Sequence, residues 1–423
     1  MSFQKQKRVL VFYADTGAGH RSVANAICAA MEEIAAESIT ARSAGIIPQF
    51  EAGARGAGES YRAASEWRAE LHNPVDDGDS SMLKSVFGLY APITGHAPGV
   101  FTAAYHITNL DPMCRLIRGA LCGQMSGHLS NVVRSVQPDL VVSVNSLLTY
   151  PIVRAMRRCN SSAPLFMVVT DLASIHRSWG VPEVDRCFVP TSEARAEMVA
   201  HGMPAEKIWQ SGLPVHPDYF AHPDEPSREA LRRSLGLHPE LFTVLLVGGG
   251  EGIGRMETIV RDLARSDLPI QLIVATGRNR AAYRRLEARR EYWLVPQQIY
   301  GYAHNMPALM RASNVIVTKA GSVTIAEALS CGLPIVLSSV IAGQESGNVD
   351  FVVRNGVGCL ARTGEEVVRA IQHLLTLAER DRREIRQRAL RLSSPSAAFE
   401  VAGEIRKILD SIESGGPTVV PVS

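Results

Sequence analysis

RVLVFYADTGAGHRSVANAI, residues 8–27, runs from an apolar segment through a turn of small residues into a helical pattern. Val9 to Phe12 is a continuous apolar run, as expected of a strand buried on both faces in a parallel sheet. Val23, Ala24, Ile27, Ala30, Met31 and Ile34 then recur at helical spacing. The pattern predicts a strand at 9–12, a helix over 20–37 and a turn from Asp15 to His20. Gly17 and Gly19 let the backbone come close to another group. His20 falls near the first helical turn, where free N–H groups and the positive dipole end disfavour an imidazolium. Two readings stand side by side. A neutral imidazole at the carboxyl edge of a parallel sheet is a candidate general base. A tight turn carrying a polar residue is the plainer one.

The rest of the chain sets the frame for that turn. Its 423 residues exceed the usual size of one hydrophobic core, which predicts two domains. An apolar content of 46% and a mean hydropathy of +0.02 fit a soluble α/β protein and argue against disorder. The net charge of +2 gives no electrostatic footprint for nucleic acid. The seven cysteines form neither a CxxC pair nor a Cys/His cluster, so zinc has no support and a reducing compartment is expected. The first strand begins so early that no signal peptide is expected. No stretch approaches about 18 charge-free apolar residues, so no spanning helix is predicted.

Strands are predicted within 138–145, 163–171 and 185–191, then at 242–249, 268–277, 314–319 and 333–339, with helical patterns between them. This alternation means a parallel sheet in each half. The segment 212–220, GLPVHPDYF, is rich in proline and glycine and precedes a charged run, so the boundary between domains is placed there. Residues 41–100 are less regular. A short tail from 412 to 423 is expected to be loose.

The second half opens with its own glycine turn, LLVGGGEGIGRME at 245–257. No GK[ST] follows, so it is not a P-loop, and the strand at 268–277 ends without the acid of a dinucleotide fold. A backbone nest at Gly249, Gly250, Glu251 and Gly252 that holds an anion at a helix N-terminus is one reading. A structural turn is the other. TKAGSVTIAEAL, 318–329, repeats the geometry. Gly321, Ser322 and Thr324 stand where hydroxyls and free N–H groups would meet a phosphate. Glu327, on the first turns of that helix, is suited to accept both hydroxyls of a ribose, or is merely a dipole-favoured acid. Gln344 and Glu345 lie in a loop at the carboxyl edge after the next strand, where ligands bind.

In this order, DTGAGH (15–20), VTDLASIHRSW (169–179), GLPV (212–215), GGGEGIG (248–254), TKAGSVTIAEAL (318–329) and AGQESGN (342–348) resemble the monogalactosyldiacylglycerol synthases and bacterial diacylglycerol glucosyltransferases. These are relatives of the MurG-type glycosyltransferases. The likeness runs from about residue 8 to residue 395. It implies a GT-B fold, two Rossmann-like domains facing across a cleft. Residues 1–215 would take a lipid acceptor, and residues 216–411 would hold UDP-galactose or UDP-glucose. It also implies an inverting transfer to diacylglycerol without a metal in the chemistry, by a cytoplasmic protein bound peripherally to the inner face of the cell membrane. By the same resemblance His20 matches the family's proposed base, Asp171 its VTD carboxylate and His176 the nearby histidine. Glu327 matches the ribose acid, and Gln344 and Glu345 match the donor-sugar pair. Two places depart from the family pattern. Ser322 and Val323 stand where proline and glycine are common, and Asn145-Ser146 replaces a usual histidine-proline.

The implied chemistry is a single displacement. His20 takes the acceptor proton, and UDP leaves toward the N–H groups at 248–252 and 321–324 while the linker at 212–223 acts as a hinge. A lipid acceptor must be met at the bilayer surface. The apolar stretch Leu83 to Tyr105, broken by Pro92 and Pro98, is the expected contact, with Arg115 and Arg118 beside anionic headgroups. Filling of the N-terminal core is the other use for that stretch. A UDP-N-acetylglucosamine 2-epimerase-like enzyme and a non-catalytic nucleotide-binding protein are the competing classes.

Overall fold

A computed structural model describes residues 6–15, 18–44, 67–77, 98–220, 226–248, 256–290 and 293–413. The first half builds β1 (Lys7–Phe12), α1 (Ala18–Ala44), β2 (Trp67–His72), α2 (Pro74–Asp77), α3 (Pro98–Thr108), α4 (Asp111–Val136), β3 (Leu140–Ser143), α5 (Ser146–Arg158), β4 (Leu165–Val168), β5 (Arg186–Val189), α6 (Ser192–Ala200) and β6 (Ile208–Gln210). The second builds α7 (Arg228–Ser234), β7 (Phe242–Val247), α8 (Met256–Ala264), β8 (Ile270–Ala275), α9 (Arg280–Glu287), β9 (Gln297–Tyr300), α10 (Met306–Ala312) and β10 (Val315–Lys319). It continues with α11 (Ser322–Ser330), β11 (Ile335–Ser339), α12 (Ser346–Arg354), β12 (Gly358–Leu360), α13 (Gly364–Thr376), α14 (Glu379–Leu392) and α15 (Ala397–Glu413).

Among the described residues each half forms one parallel six-stranded sheet, ordered β2-β1-β3-β4-β5-β6 and β12-β11-β10-β7-β8-β9. Strand alternation sorts the core. Val9 and Val11 of β1 pack on one side with Val23 and Ile27 of α1 and with Val401 and Ile405 of α15. Leu10 and Phe12 pack on the other with Leu129 of α4 and Ile152 of α5. In the second sheet Leu245 and Val247 face Leu309 of α10 and Ile325 of α11. Val244 and Leu246 face Leu263 of α8 and Ile371 of α13. Two-sided cover by helices is what the continuous apolar strands required.

Strand order reverses between β1 and β3 in the first sheet and between β7 and β10 in the second. Such switch points open a crevice at the carboxyl ends of the strands, where ligands bind in open α/β sheets. Both glycine turns of the sequence follow a strand at one of these points. The last helix, α15, leaves the second sheet and packs on α1 of the first. Trp209 Nε1 donates to Glu400 Oε2 at 3.1 Å, and buried Arg186 pairs with buried Glu404 at 3.5 Å.

Candidate active site

The carboxyl edges of the two sheets meet. A Cβ added at Gly19 would stand 3.1 Å from Val323 Cγ2, so the first turns of α1 and α11 abut. Glycine here leaves room for that approach, and its φ is not an unusual one. Asp15 accepts from Arg21 in its own turn and lies 3.7 Å from Arg278 at the end of β8 in the other half.

His20 Nδ1 lies 3.1 Å from Thr170 Oγ1, and the ring hydrogen-bonds the backbone of Val144. Thr170 follows β4 and Val144 follows β3. Burial lowers the imidazole to about 4, against the opposing pull of the Val144 backbone. The ring is therefore neutral at physiological pH, and the main cause is desolvation. One nitrogen of a neutral imidazole accepts a proton, and a hydroxyl already lies at hydrogen-bond distance from Nδ1.

Asp171 sits next to Thr170. Trp179 Nε1 donates to its Oδ2 at 2.8 Å. Burial pushes the carboxyl up to about 6, and Trp179 opposes this. Glu345 and Glu197 add to the rise while Lys319 lowers it. Glu345 and Lys319 belong to the second sheet's edge, so Asp171 is electrostatically coupled to the opposite lobe.

On that lobe, Gly249, Gly250, Glu251 and Gly252 lie outside the described residues. Gly321 is the N-cap of α11, with φ −76°, and as a glycine it offers no side-chain cap of its own. Its first N–H groups therefore have no side-chain partner in the cap. Ser322 and Thr324 are half-buried in the first turn. Glu327 is the sixth helical residue and is buried. Burial raises its carboxyl to about 8, and a hydrogen bond from Tyr219 opposes the rise.

The loop after β11 is pinned from both halves. Glu345 is buried, with Oε1 accepting from Lys319 Nζ and Oε2 accepting from the Ile341 N–H at 2.9 Å. Gln344 beside it is half-buried. From the other half, Ser174 Oγ accepts the Gly347 N–H at 3.0 Å, and Thr102 Oγ1 donates to the Ala342 carbonyl at 3.3 Å. Gly343, at φ +89°, lies beneath the Tyr105 ring, 2.8 Å from the place a Cβ would take. Among the described residues no His, Cys, Asp or Glu group could hold a metal ion.

Known proteins are similar to this chain in sequence and in fold. The monogalactosyldiacylglycerol synthase family model matches residues 60–215, and the glycosyltransferase family 28 C-terminal domain model matches residues 243–398. The chain is 30% identical over 419 residues to monogalactosyldiacylglycerol synthase 3 of Arabidopsis thaliana, covering 96% of this chain and 83% of that protein. It is also 30% identical over 417 residues to the synthase of Spinacia oleracea, covering 96% and 73%.

The chain belongs to the monogalactosyldiacylglycerol synthase family.

As a member of that family it is a UDP-sugar-dependent glycosyltransferase, and its two facing Rossmann-like units are a GT-B fold. Solved structures agree on the fold. MurG of Acinetobacter baumannii superposes at a TM-score of 0.55 with 14% identity, covering 95% of this chain and 99% of that one. MnaA of S. aureus, solved with UDP, gives 0.57 with 15% identity, covering 98% and 100%.

Two positions set aside as departures or neighbours within the family have local structural tasks. Asn145 caps α5, accepting the Leu147 N–H at 3.0 Å. His176 Nδ1 accepts the Ser178 N–H at 3.1 Å, and its ring packs on Tyr105 at 5.0 Å. Burial holds His176 neutral, at about 4. Of the two arginines expected at headgroups, Arg118 turns inward and donates to the carbonyls of Arg177, Ser178 and Gly180 at 2.9–3.4 Å. Arg115 is exposed. The partners that sequence reasoning missed are Thr170, Trp179, Tyr219 and Lys319. Trp179 carried a signal, because a buried indole N–H needs an acceptor.

Proposed function

We propose that the protein transfers a hexose, galactose or glucose, from its UDP-sugar to the free hydroxyl of diacylglycerol with inversion, giving a β-glycosyl diacylglycerol. Neutral His20 between the two lobes carries this reading. It takes the hydroxyl proton as the acceptor oxygen bonds to C1, while the C1–O electron pair leaves with UDP. Asp171 orients the acceptor. The glycine-rich segment 249–252 of the sequence and the first turn of α11, with Gly321, Ser322 and Thr324, receive the diphosphate. Glu327 takes the ribose, and Gln344 and Glu345 face the sugar. The first sheet, within residues 1–215, is the acceptor side, and the second, within 216–411, is the donor side.

The acceptor enters from a membrane surface, with the protein bound peripherally at its cytoplasmic face. Residues 83–97 of the expected contact lie outside the described residues. Downstream of them, Val100, Ile107, Leu110 and Leu116 are exposed apolar side chains on or beside α3 and α4, and Arg115, paired with Asp111 at 2.8 Å, lies beside them. Such a surface suits an interfacial contact with anionic lipid. No described helix is long and apolar enough to cross a membrane.

The test is incubation of purified protein with diacylglycerol micelles and each UDP-sugar, followed by mass and linkage analysis of the lipid. A lipid heavier by one hexose with a β linkage is expected. An epimerised free sugar, or UDP binding without turnover, would refute the assignment.

A further inference from the structure

We propose that Lys319 is the cation that receives the departing diphosphate, held ready between donors by Glu345. The inference rests on the reading that UDP leaves at the first turn of α11. Lys319 ends β10, and the register with β11 slips between Thr318 and Lys319. A bulge of this kind re-aims the side chain that follows it. The ammonium comes to lie over the helix cap, because a Cβ at Gly321 would stand 3.2 Å from Lys319 Nζ. Gly321 has an ordinary φ of −76°, so backbone conformation does not demand glycine there. Glycine there leaves the ammonium room without displacement.

The placement is electrostatically odd. A cation sits over the positive end of a helix whose cap residue is a glycine, with Glu345 Oε1 3.9 Å from the place a Gly321 Cβ would take. Buried Glu345, through Oε1, holds it in place. An anion between the ammonium and the helix N–H groups would relieve the conflict. A diphosphate is the anion this reaction produces. As the C1–O bond breaks, its electron pair moves onto a β-phosphate oxygen, and the ammonium meets that charge by hydrogen bonding without giving up a proton. Glu345 keeps its bond from the Ile341 N–H through Oε2, so the loop keeps its anchor when the lysine turns away.

The experiment compares Lys319→Ala, Lys319→Arg and Glu345→Gln with the parent, reading UDP and uridine affinity by calorimetry and turnover with the UDP-sugar. Lys319→Ala should weaken UDP at least about tenfold, leave uridine binding intact and lower kcat by about 10²–10³-fold, the scale of losing one preorganised charge contact. Lys319→Arg should recover part of both. Glu345→Gln frees the lysine and keeps an acceptor for the Ile341 N–H, so its loss of UDP affinity should stay well short of that in Lys319→Ala. Intact uridine binding shows that the variant site is folded. Equal weakening of UDP and uridine, or UDP loss in Glu345→Gln matching that in Lys319→Ala, would make Lys319 a structural partner of Glu345 and overturn the proposal. A parent protein that does not bind UDP would instead overturn the donor reading, and this inference with it.

Discussion

Tyr219 hydrogen-bonds Glu327. Both side chains are 8% exposed. The tyrosine ends the short 3-10 turn Pro217–Tyr219, in the segment that leads from one sheet to the other. Burial nevertheless outweighs the phenol, and the carboxyl titrates at about 8.

UDP affinity should therefore depend on pH through Glu327. Two ribose hydroxyls require the carboxylate, while the free protein holds it protonated below about pH 8. Binding should strengthen by up to about tenfold per pH unit on the acid side of that value and level off above it. Calorimetry with UDP at several pH values checks this. Glu327→Ala should weaken UDP and flatten the profile. A parent profile that is already flat would remove Glu327 from the ribose.

The same group bears on stability with the opposite sense from a salt-bridged acid. Its folded pKa of about 8 lies above the ordinary 4.5, so the folded state binds the extra proton. Stability attributable to Glu327 should be intact below about pH 4.5 and decline until about pH 8. Glu327→Gln should remove this slope in thermal melts, and its Tm advantage over the parent should grow toward alkaline pH.

His20→Ala should lower turnover by about 10²–10⁴-fold, the scale of general base catalysis, with UDP affinity nearly unchanged. Because the imidazole stays neutral down to about 4, its acid limb in kcat/KM should lie well below 6.5. Near-normal turnover in the alanine variant would exclude the base role.

The vesicle contact is testable on described side chains. Val100→Ser with Ile107→Ser alters exposed positions of α3 and should leave the Tm within about 1 °C of the parent, as surface changes usually do. Co-sedimentation with anionic vesicles should fall. Phe101 is a poorer probe, because its ring packs toward Tyr105 at 6.4 Å. Unchanged sedimentation would move the contact to another surface.

Glu404→Ala should destabilise the first sheet's face by about 3–5 kcal/mol, since it strands Arg186 in a buried pair. Denaturant unfolding followed by tryptophan fluorescence reads the loss.

The central strands were legible because both their faces are buried, so each reads as an unbroken apolar run. The strands that escaped notice, Trp67–His72, Ile208–Gln210, Gln297–Tyr300 and Gly358–Leu360, are the edges of the two sheets. Their half-exposed sides admit Arg68, Glu70, Gln298 and Cys359, which dilute the apolar signal. The first helix runs on to Ala44, past its apolar repeat, and the last continues to Glu413, just into the expected tail, while 414–423 lie outside the described residues. In the site, the glycine turns and Glu327 stood in local motifs. Their partners did not, because Thr170 meets His20 from 150 positions away. The neutrality of His20 was expected from the helix dipole, but burial is the larger cause, and burial belongs to the assembled fold.

Gly212 and Ser394 touch: the glycine has a φ of +90°, and a Cβ there would overlap the serine Cβ. The chain passes from the first half to the second just after Gly212 and returns to the first sheet just after Ser394. The two passages therefore run side by side at one place. Two adjacent pivots behave as a door hinge and not as a ball joint, so opening should be confined to rotation about a single axis, with twisting and sliding suppressed. Each closure would then return His20 to the same register against α11, turnover after turnover, with no lock needed at the mouth.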